Sequence, residues 1–191
     1  HLVAVAAEFH LSVTPVLTDG TQPVGSGIGP ALEAHDVLAV LRRAPDAPAD
    51  LRERAIDLSG RILDLAGGPS GRGHAQASAI LDDGQALDKF MAICEAQGGF
   101  SEPSTAPLRY TISAPRSARV AAFDNRTLAR IAKLAGAPRS KSAGISLHVK
   151  LGATVARGEP IFTVHAESRG ELDYALAFAA ANPDAIRLAS L

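Results

Sequence analysis

Apolar positions in the first half of this chain recur at helical spacing. Leu51, Ala55, Leu58, Ile62 and Leu65 follow one another at intervals of four and three, which places them on one face of a helix running from about Asp50 to Leu65. Asp50 is placed to cap it, and Gly67-Gly68-Pro69 to stop it. Residues 2–10 and Ala31 to Arg43 read as two further helices, the second broken by Ala44-Pro-Asp-Ala-Pro48. His74 to Leu81 is a shorter helix. Asp82-Asp83-Gly84 turns into another, ending at Gln97-Gly98-Gly99, with Leu87, Phe90, Met91, Cys94 and Ala96 on its buried side. Ser12 to Leu17, rich in Val and Thr, is the one strand candidate of this half.

The pattern changes at Glu102-Pro-Ser-Thr-Ala-Pro107, a boundary signal. Short β-prone runs follow at Arg109–Ser113, Ala118–Phe123, Gly144–Lys150 and Pro160–His165. A helix from Thr127 to Ala135, capped by Asn125 and stopped by Gly136, interrupts them. Arg169 to Ala181 reads as a last helix, closed by Asn182-Pro183, and Ala185–Leu188 as a last strand. The expected class is α+β, with residues 1–105 mostly helical and residues 106–191 a small β-rich domain with two helices.

Composition narrows the function classes. The 191 residues are 47% apolar and 20% charged, enough to bury a core. With 19 basic and 20 acidic residues the formal net charge is −1, which suggests neither nucleic acid nor an anionic membrane as partner. No apolar run reaches about 18 residues, the length of a membrane span. The single cysteine, Cys94, allows no internal disulfide and fits a cytoplasmic setting.

The densest chemical signal is Gly25-Ser-Gly-Ile-Gly29, between an apolar run and a helix opening at Pro30. One reading is an anion site, because a helix N-terminus offers free N–H groups and a positive dipole end. The loop lacks the Lys-Ser/Thr of a P-loop and the full GxGxxG spacing of a dinucleotide fold. The other reading is a tight turn that needs positive φ and close backbone approach.

Val16-Leu-Thr-Asp-Gly-Thr-Gln-Pro-Val-Gly-Ser-Gly-Ile-Gly-Pro-Ala-Leu-Glu33 resembles the strand–loop–helix segment of the thymidine/pyrimidine-nucleoside phosphorylase family, in its longer branch related to AMP phosphorylases. Ala96-Gln97-Gly98-Gly99 resembles a family turn. Phe123-Asp124-Asn125-Arg126, Ala132–Pro138, Leu151–Val155, Gly158–Ile161 and His165-Ala-Glu167 resemble the C-terminal domain of the longer branch. The order and spacing of these motifs carry the resemblance across nearly the whole chain. One departure is Ala118, where a turn glycine is expected.

The resemblance implies a pentosyltransferase that cleaves a nucleoside with inorganic phosphate, giving free base and pentose 1-phosphate, without a cofactor. Its catalytic Lys/Ser/Gly-rich loop and Arg…Ser…Lys group have no match here. No catalytic residue is therefore carried over, and the chain is expected to be the C-terminal portion of an enzyme, inactive alone, with its chemistry encoded upstream. Leu2–Phe9, which reads as the end of a helix under way in a chain that does not start with Met, fits that expectation. Residues 1–105 would then be the remnant of a larger mixed α/β domain, and residues 106–191 a barrel-sandwich-like domain. The resemblance also implies a structural cation held by the carbonyl oxygens of Val24 and Gly27 and the side chain of Asp36, with its other ligands upstream. The full-length protein would be a homodimer. Thymidine and AMP both stand as substrates, and a stand-alone binding or carrier module is the alternative.

Other candidates read more plainly. The six histidines, His1, His10, His35, His74, His148 and His165, form no zinc-ligand spacing. His148 and His165 fall on two strands and read as partly buried, hydrogen-bonded imidazoles. Cys94 reads as a small core residue. Glu33 and Asp36 lie three apart on one helix face, a pair that does not by itself make a glycosidase. Gly152–Val164 resembles the closing strands of biotinyl/lipoyl-like sandwiches, but Lys141 and Lys150 lack the flanks of a carrier lysine.

Overall fold

The computed structural model describes residues 1–67 and 71–191. Helices α1 (Leu2–Glu8), α2 (Pro30–Leu41), α3 (Ala49–Leu65), α4 (Gly73–Asp82) and α5 (Gln85–Ala96) fill the first half, together with a two-residue strand, β1 (Gly27–Ile28). The second half carries β2 (Leu108–Ser113), β3 (Ala118–Phe123), α6 (Asn125–Leu134), β4 (Gly144–Leu147), β5 (Thr154–Val155), β6 (Pro160–Ala166), α7 (Arg169–Ala181) and β7 (Ile186–Ala189). The class is α+β. The expected stop after α3 lies partly on residues 68–70, outside those described; α3 itself ends at Leu65.

Two antiparallel sheets form the second half. One has the order β1-β4-β6-β2 and the other β5-β3-β7. Helices α6 and α7 pack with them around one core that includes Val120, Leu128, Ile131, Ile145, Val164, Leu172 and Ala175. Leu128, Ile131 and Ile145 have no exposed surface. Alternation puts Phe162, Val164 and Ala166 of β6 into this core, while Thr163 and His165 face the other way. Ala118 is fully buried at the start of β3 and needs no positive φ, so the missing glycine leaves no strain.

Caps follow local chemistry. Asp124, not the expected Asn125, caps α6: its side chain accepts from the amides of Arg126 and Thr127. Ser168 caps α7 through the amide of Glu171, and its hydroxyl also donates to the Glu171 carboxylate. Asp50 lies inside the first turn of α3 rather than at its cap, because the helix begins one residue earlier.

Other expectations are corrected by packing. Residues 12–17 form no strand: Leu11, Val13 and Leu17 are exposed, and a strand with no neighbour to take its N–H and C=O groups gains nothing over loop. The strands Gly27–Ile28 and Thr154–Val155 escaped the sequence reading, since two residues carry no period. In α5, Leu87, Phe90, Met91 and Cys94 are half-buried and Ala96 is exposed. The buried line of α3 is also not the one expected. It runs through Ile56 and Gly60, while Leu58, Ile62 and Leu65 are 38%, 65% and 68% exposed.

The cause of that shift is Gly60. A Cβ there would sit 2.6 Å from the backbone nitrogen of His74, so only glycine lets α4 cross α3 this closely. The contact turns Ile56 inward against Val40, Ala77 and Leu81. Gly73 starts α4 by donating its N–H to Asp64, at 2.9 Å. Ile56→Asp is therefore expected to unfold the helical half, since an unpaired buried carboxylate costs several kcal/mol, on the order of 3 or more. Ile62→Asp is expected to shift the stability of this chain by less than about 1 kcal/mol. Urea melts followed by circular dichroism check both, and equal losses in the two variants would refute the assignment of faces.

Candidate functional site

The glycine loop is closed by carboxylates from the helix it opens. Pro30 starts α2 with fixed φ and no N–H to leave unpaired. One and two turns on, Glu33 and Asp36 reach back over the loop. The Asp36 carboxylate, through Oδ2, accepts from the backbone N–H of Ser26 at 2.6 Å and of Gly27 at 2.7 Å. Glu33 Oε1 accepts from the Gly29 N–H at 3.0 Å, and the Ala31 N–H donates to the Lys141 carbonyl at 3.0 Å. Gly25 has φ +77°, and a Cβ there would lie 2.6 Å from Asp36 Oδ2, so glycine is required on both counts.

This arrangement decides between the two readings of the loop. The N–H groups that a bound anion would use already face internal carboxylates, and one faces a carbonyl. In this chain the loop is the tight turn, with Glu33 and Asp36 as its own anions. Glu33 and Asp36 are thus brought together as capping groups.

Val24, Gly27 and Asp36, the positions implied for a cation, do meet. They line one cleft of about 380 Å³ together with Pro23, Ile28, Glu33, Val37, Leu51, Asn125 and Ala129. The donors are oxygens throughout, as a hard cation requires. Asp36 Oδ2 is committed to two amides, which orients the carboxylate. Two carbonyls and one carboxylate oxygen would supply three ligands, against the six to eight taken by calcium. Among the described residues, no group of three or more His, Cys, Asp or Glu side chains is placed to hold a metal ion.

Residues from the second half grip this loop. β1 pairs with β4, Gly27 opposite Ser146 and Ile28 opposite Ile145, and the Leu147 N–H donates to the Ser26 carbonyl at 2.7 Å. Asn125 Nδ2 donates to the Gly20 carbonyl, and the Leu151 N–H to Gln22 Oε1. Lys150 Nζ donates to the Gly25 carbonyl at 2.6 Å and to the Asp50 carboxylate at 2.7 Å. Lys150 and Asn125 were missed as partners of the loop. Lys150 stands 125 positions from Gly25, and no local pattern connects them.

Charge is a signal that the sequence does hold. Residues 1–105 contain 14 acidic and 7 basic side chains; residues 106–191 contain 6 and 12. The net charge of −1 conceals this opposition between the halves. Among the ion pairs of the described residues, Lys150–Asp50 alone joins the two halves.

A polar layer lies on the sheet face opposite the core. The Ser146 hydroxyl and His165 Nε2 are 2.9 Å apart, His148 Nε2 and Thr163 Oγ1 2.8 Å, and Thr111 and Thr163 share a 2.9 Å hydroxyl contact. His148 and His165 are thus hydrogen-bonded, each to a hydroxyl and not to each other; His165 is buried and His148 exposed. Arg109 stands opposite His165 in the sheet register. Burial first, then the charges of Arg109 and His148, push the His165 imidazole down from 6.5 to about 4. Between these values the unfolded chain binds a proton that the folded chain refuses. Stability is therefore full above about pH 6.5 and is lost as pH falls toward 4, by at most about 3 kcal/mol. Urea melts between pH 7.5 and 4.5 are expected to show that decline, flattened in His165→Gln. An unchanged slope in the variant would remove His165 as the cause.

Residues 119–184 match the family model described as the pyrimidine nucleoside phosphorylase C-terminal domain. A protein of Hahella chejuensis named "Putative thymidine phosphorylase" is 53% identical over 189 residues, covering 98% of this chain and 37% of that relative. One of Legionella pneumophila with the same name is 56% identical over 175 residues, 91% of this chain and 34% of the relative. One from an Acidovorax species, "Putative thymidine phosphorylase 1", is 55% identical over 183 residues, 95% of this chain and 36% of the relative. The chain spans about a third of the length of these curated relatives. Residues 119–184 are thus similar to the pyrimidine nucleoside phosphorylase C-terminal domain, and the chain as a whole corresponds to a C-terminal portion of its thymidine-phosphorylase-named relatives.

Proposed function

We propose that this chain serves as the C-terminal portion of a cytoplasmic pentosyltransferase, which phosphorolyses a thymidine-like nucleoside to free base and pentose 1-phosphate. Inorganic phosphate is the co-substrate and no cofactor takes part. The observation that carries this reading is the 53–56% identity along 91–98% of the chain to proteins named as thymidine phosphorylases. Residues 1–105 are read as part of a larger α/β domain, residues 106–191 as a domain of their own, and the whole protein as a homodimer.

The chemistry needs groups that hold phosphate beside an anomeric carbon turning cation-like, and groups that take up negative charge on the departing base. In this chain the loop that looks most like a phosphate cradle has its amides on Glu33, Asp36 and Lys141. That supports a scaffold role for these residues, with catalysis carried by the rest of the polypeptide. The carrier alternative loses one of its two lysines, because the Lys150 ammonium is held by the Gly25 carbonyl and Asp50.

The longer protein is expected to release thymine from thymidine and phosphate, and residues 1–191 alone to release none. Losing one electrostatic contributor typically costs about 10²–10³ in rate, and here the whole set would be missing. Thymine release by this chain at an enzymic rate would overturn the division of labour. Phosphorolysis of AMP in place of thymidine by the longer protein would overturn the substrate.

Within the same reading, the Val24 and Gly27 carbonyls and the Asp36 carboxylate are this chain's share of a site for K⁺, Mg²⁺ or Ca²⁺, completed by ligands elsewhere in the protein. Calorimetric titration of the longer protein with potassium or calcium chloride is expected to show binding weakened about 10–100-fold by Asp36→Asn. Equal affinity in the variant would exclude Asp36 as a ligand.

A further inference from the structure

The glycine loop belongs to the first half of the chain, yet the groups that hold its outer side come from the second. Lys150 is central to that grip. It lies three residues beyond the end of β4, so the pairing of β4 with β1 brings its backbone close to the loop. Its ammonium then bridges two elements of the first half, the Gly25 carbonyl of the loop and the Asp50 carboxylate in the first turn of α3. Gly25 immediately precedes Ser26, one of the two residues whose amides Asp36 holds.

We propose that Lys150 is a positioning residue through which the family-matched C-terminal domain sets the conformation of the glycine loop. The loop has two fasteners on opposite sides. Asp36 holds its N–H groups from within, and Lys150 holds the Gly25 carbonyl from without. Gly25 is free to adopt other backbone conformations, being glycine at φ +77°. Without the external fastener, nothing donated by a side chain to that carbonyl restrains the peptide between Gly25 and Ser26. The Asp36 cap then has to hold a more mobile turn. Asp50 keeps the Lys150 ammonium on station, because a four-carbon stem with a free charge at its end otherwise samples many rotamers. The charge is suited to the place: Glu33 and Asp36 line the cleft, and the Lys150 ammonium beside the loop pairs with the Asp50 carboxylate.

The proposal concerns loop geometry and holds whether or not the longer protein is a phosphorylase; its consequence for catalysis rests on that reading. Hydrogen exchange by NMR on this chain is the first test. Loss of a hydrogen bond from a charged donor predicts exchange about 10–100-fold faster at Ser26, Gly27 and Ile28 in Lys150→Met. The amides of β6, at the centre of the same sheet, are expected to keep their rates. Lys150→Arg is expected to restore protection, and Asp50→Asn to give a smaller acceleration confined to the same three amides. Unchanged exchange at the loop in Lys150→Met overturns the proposal. So does a uniform acceleration across loop and core, which would mark Lys150 as a contributor to overall stability alone. In the longer protein, Lys150→Met is expected to lower kcat/KM for thymidine phosphorolysis. A loop defect by exchange together with an inactive wild-type protein would refute the phosphorylase reading and leave the positioning role standing.

Discussion

The pairing of two residues of β1 with β4 is the interaction on which the rest of the arrangement depends. Gly27 and Ile28 enter a sheet made otherwise from the second half, opposite Ser146 and Ile145. A two-residue strand cannot hold itself in place. It is pinned because its neighbours are satisfied on every side: Ser26 accepts from Leu147, and Ser26 and Gly27 donate to Asp36. Backbone polar groups left unpaired in such a place would each cost on the order of 1–3 kcal/mol. Once β1 is set, Pro30 starts α2 in a defined direction. The carboxylates of α2 then fall back on the loop that precedes it.

This explains why a glycine-rich loop ahead of a helix need not be an anion site. The dipole and the free N–H groups are real attractions for negative charge. Here that attraction is met internally, by Glu33 and Asp36. The same carboxylates place negative charge in a cleft lined otherwise mostly by apolar residues, which disfavours an anion there.

The two halves also differ in what holds them. The β-rich half has a continuous core across both sheets and two helices, while the helical half rests on a small cluster around Val40, Ile56, Ala77 and Leu81. Apolar side chains on α3, such as Ile62 and Leu65, stay exposed, and α1 buries none of its residues. The polar layer of Ser146, His165, His148, Thr163 and Thr111 stiffens the central sheet on its second face. Thr163 and His165, buried and hydrogen-bonded, specify register, because a slip by one residue would bring the hydroxyl and the imidazole against the apolar side.

Local chemistry was legible in the residues. Helix α7 spans the expected run from Arg169 to Ala181, ending where Asn182-Pro183 closes it, and β3 spans the run from Ala118 to Phe123, because breakers and β-prone runs act within a few positions. The α+β class follows from the same signals. The meeting of Val24, Gly27 and Asp36 was implied by the family resemblance, and a loop and the first turns of the next helix are neighbours by chain connectivity. Tertiary structure alone decided the rest. The buried line of α3 turned because Gly60 let α4 approach, a fact about a second helix that no period within α3 records. Residues 12–17 found no partner strand, whereas Gly27 and Ile28 did. Lys150 reached Gly25 across 125 positions of chain, a distance in sequence that only the closing of the sheet could remove.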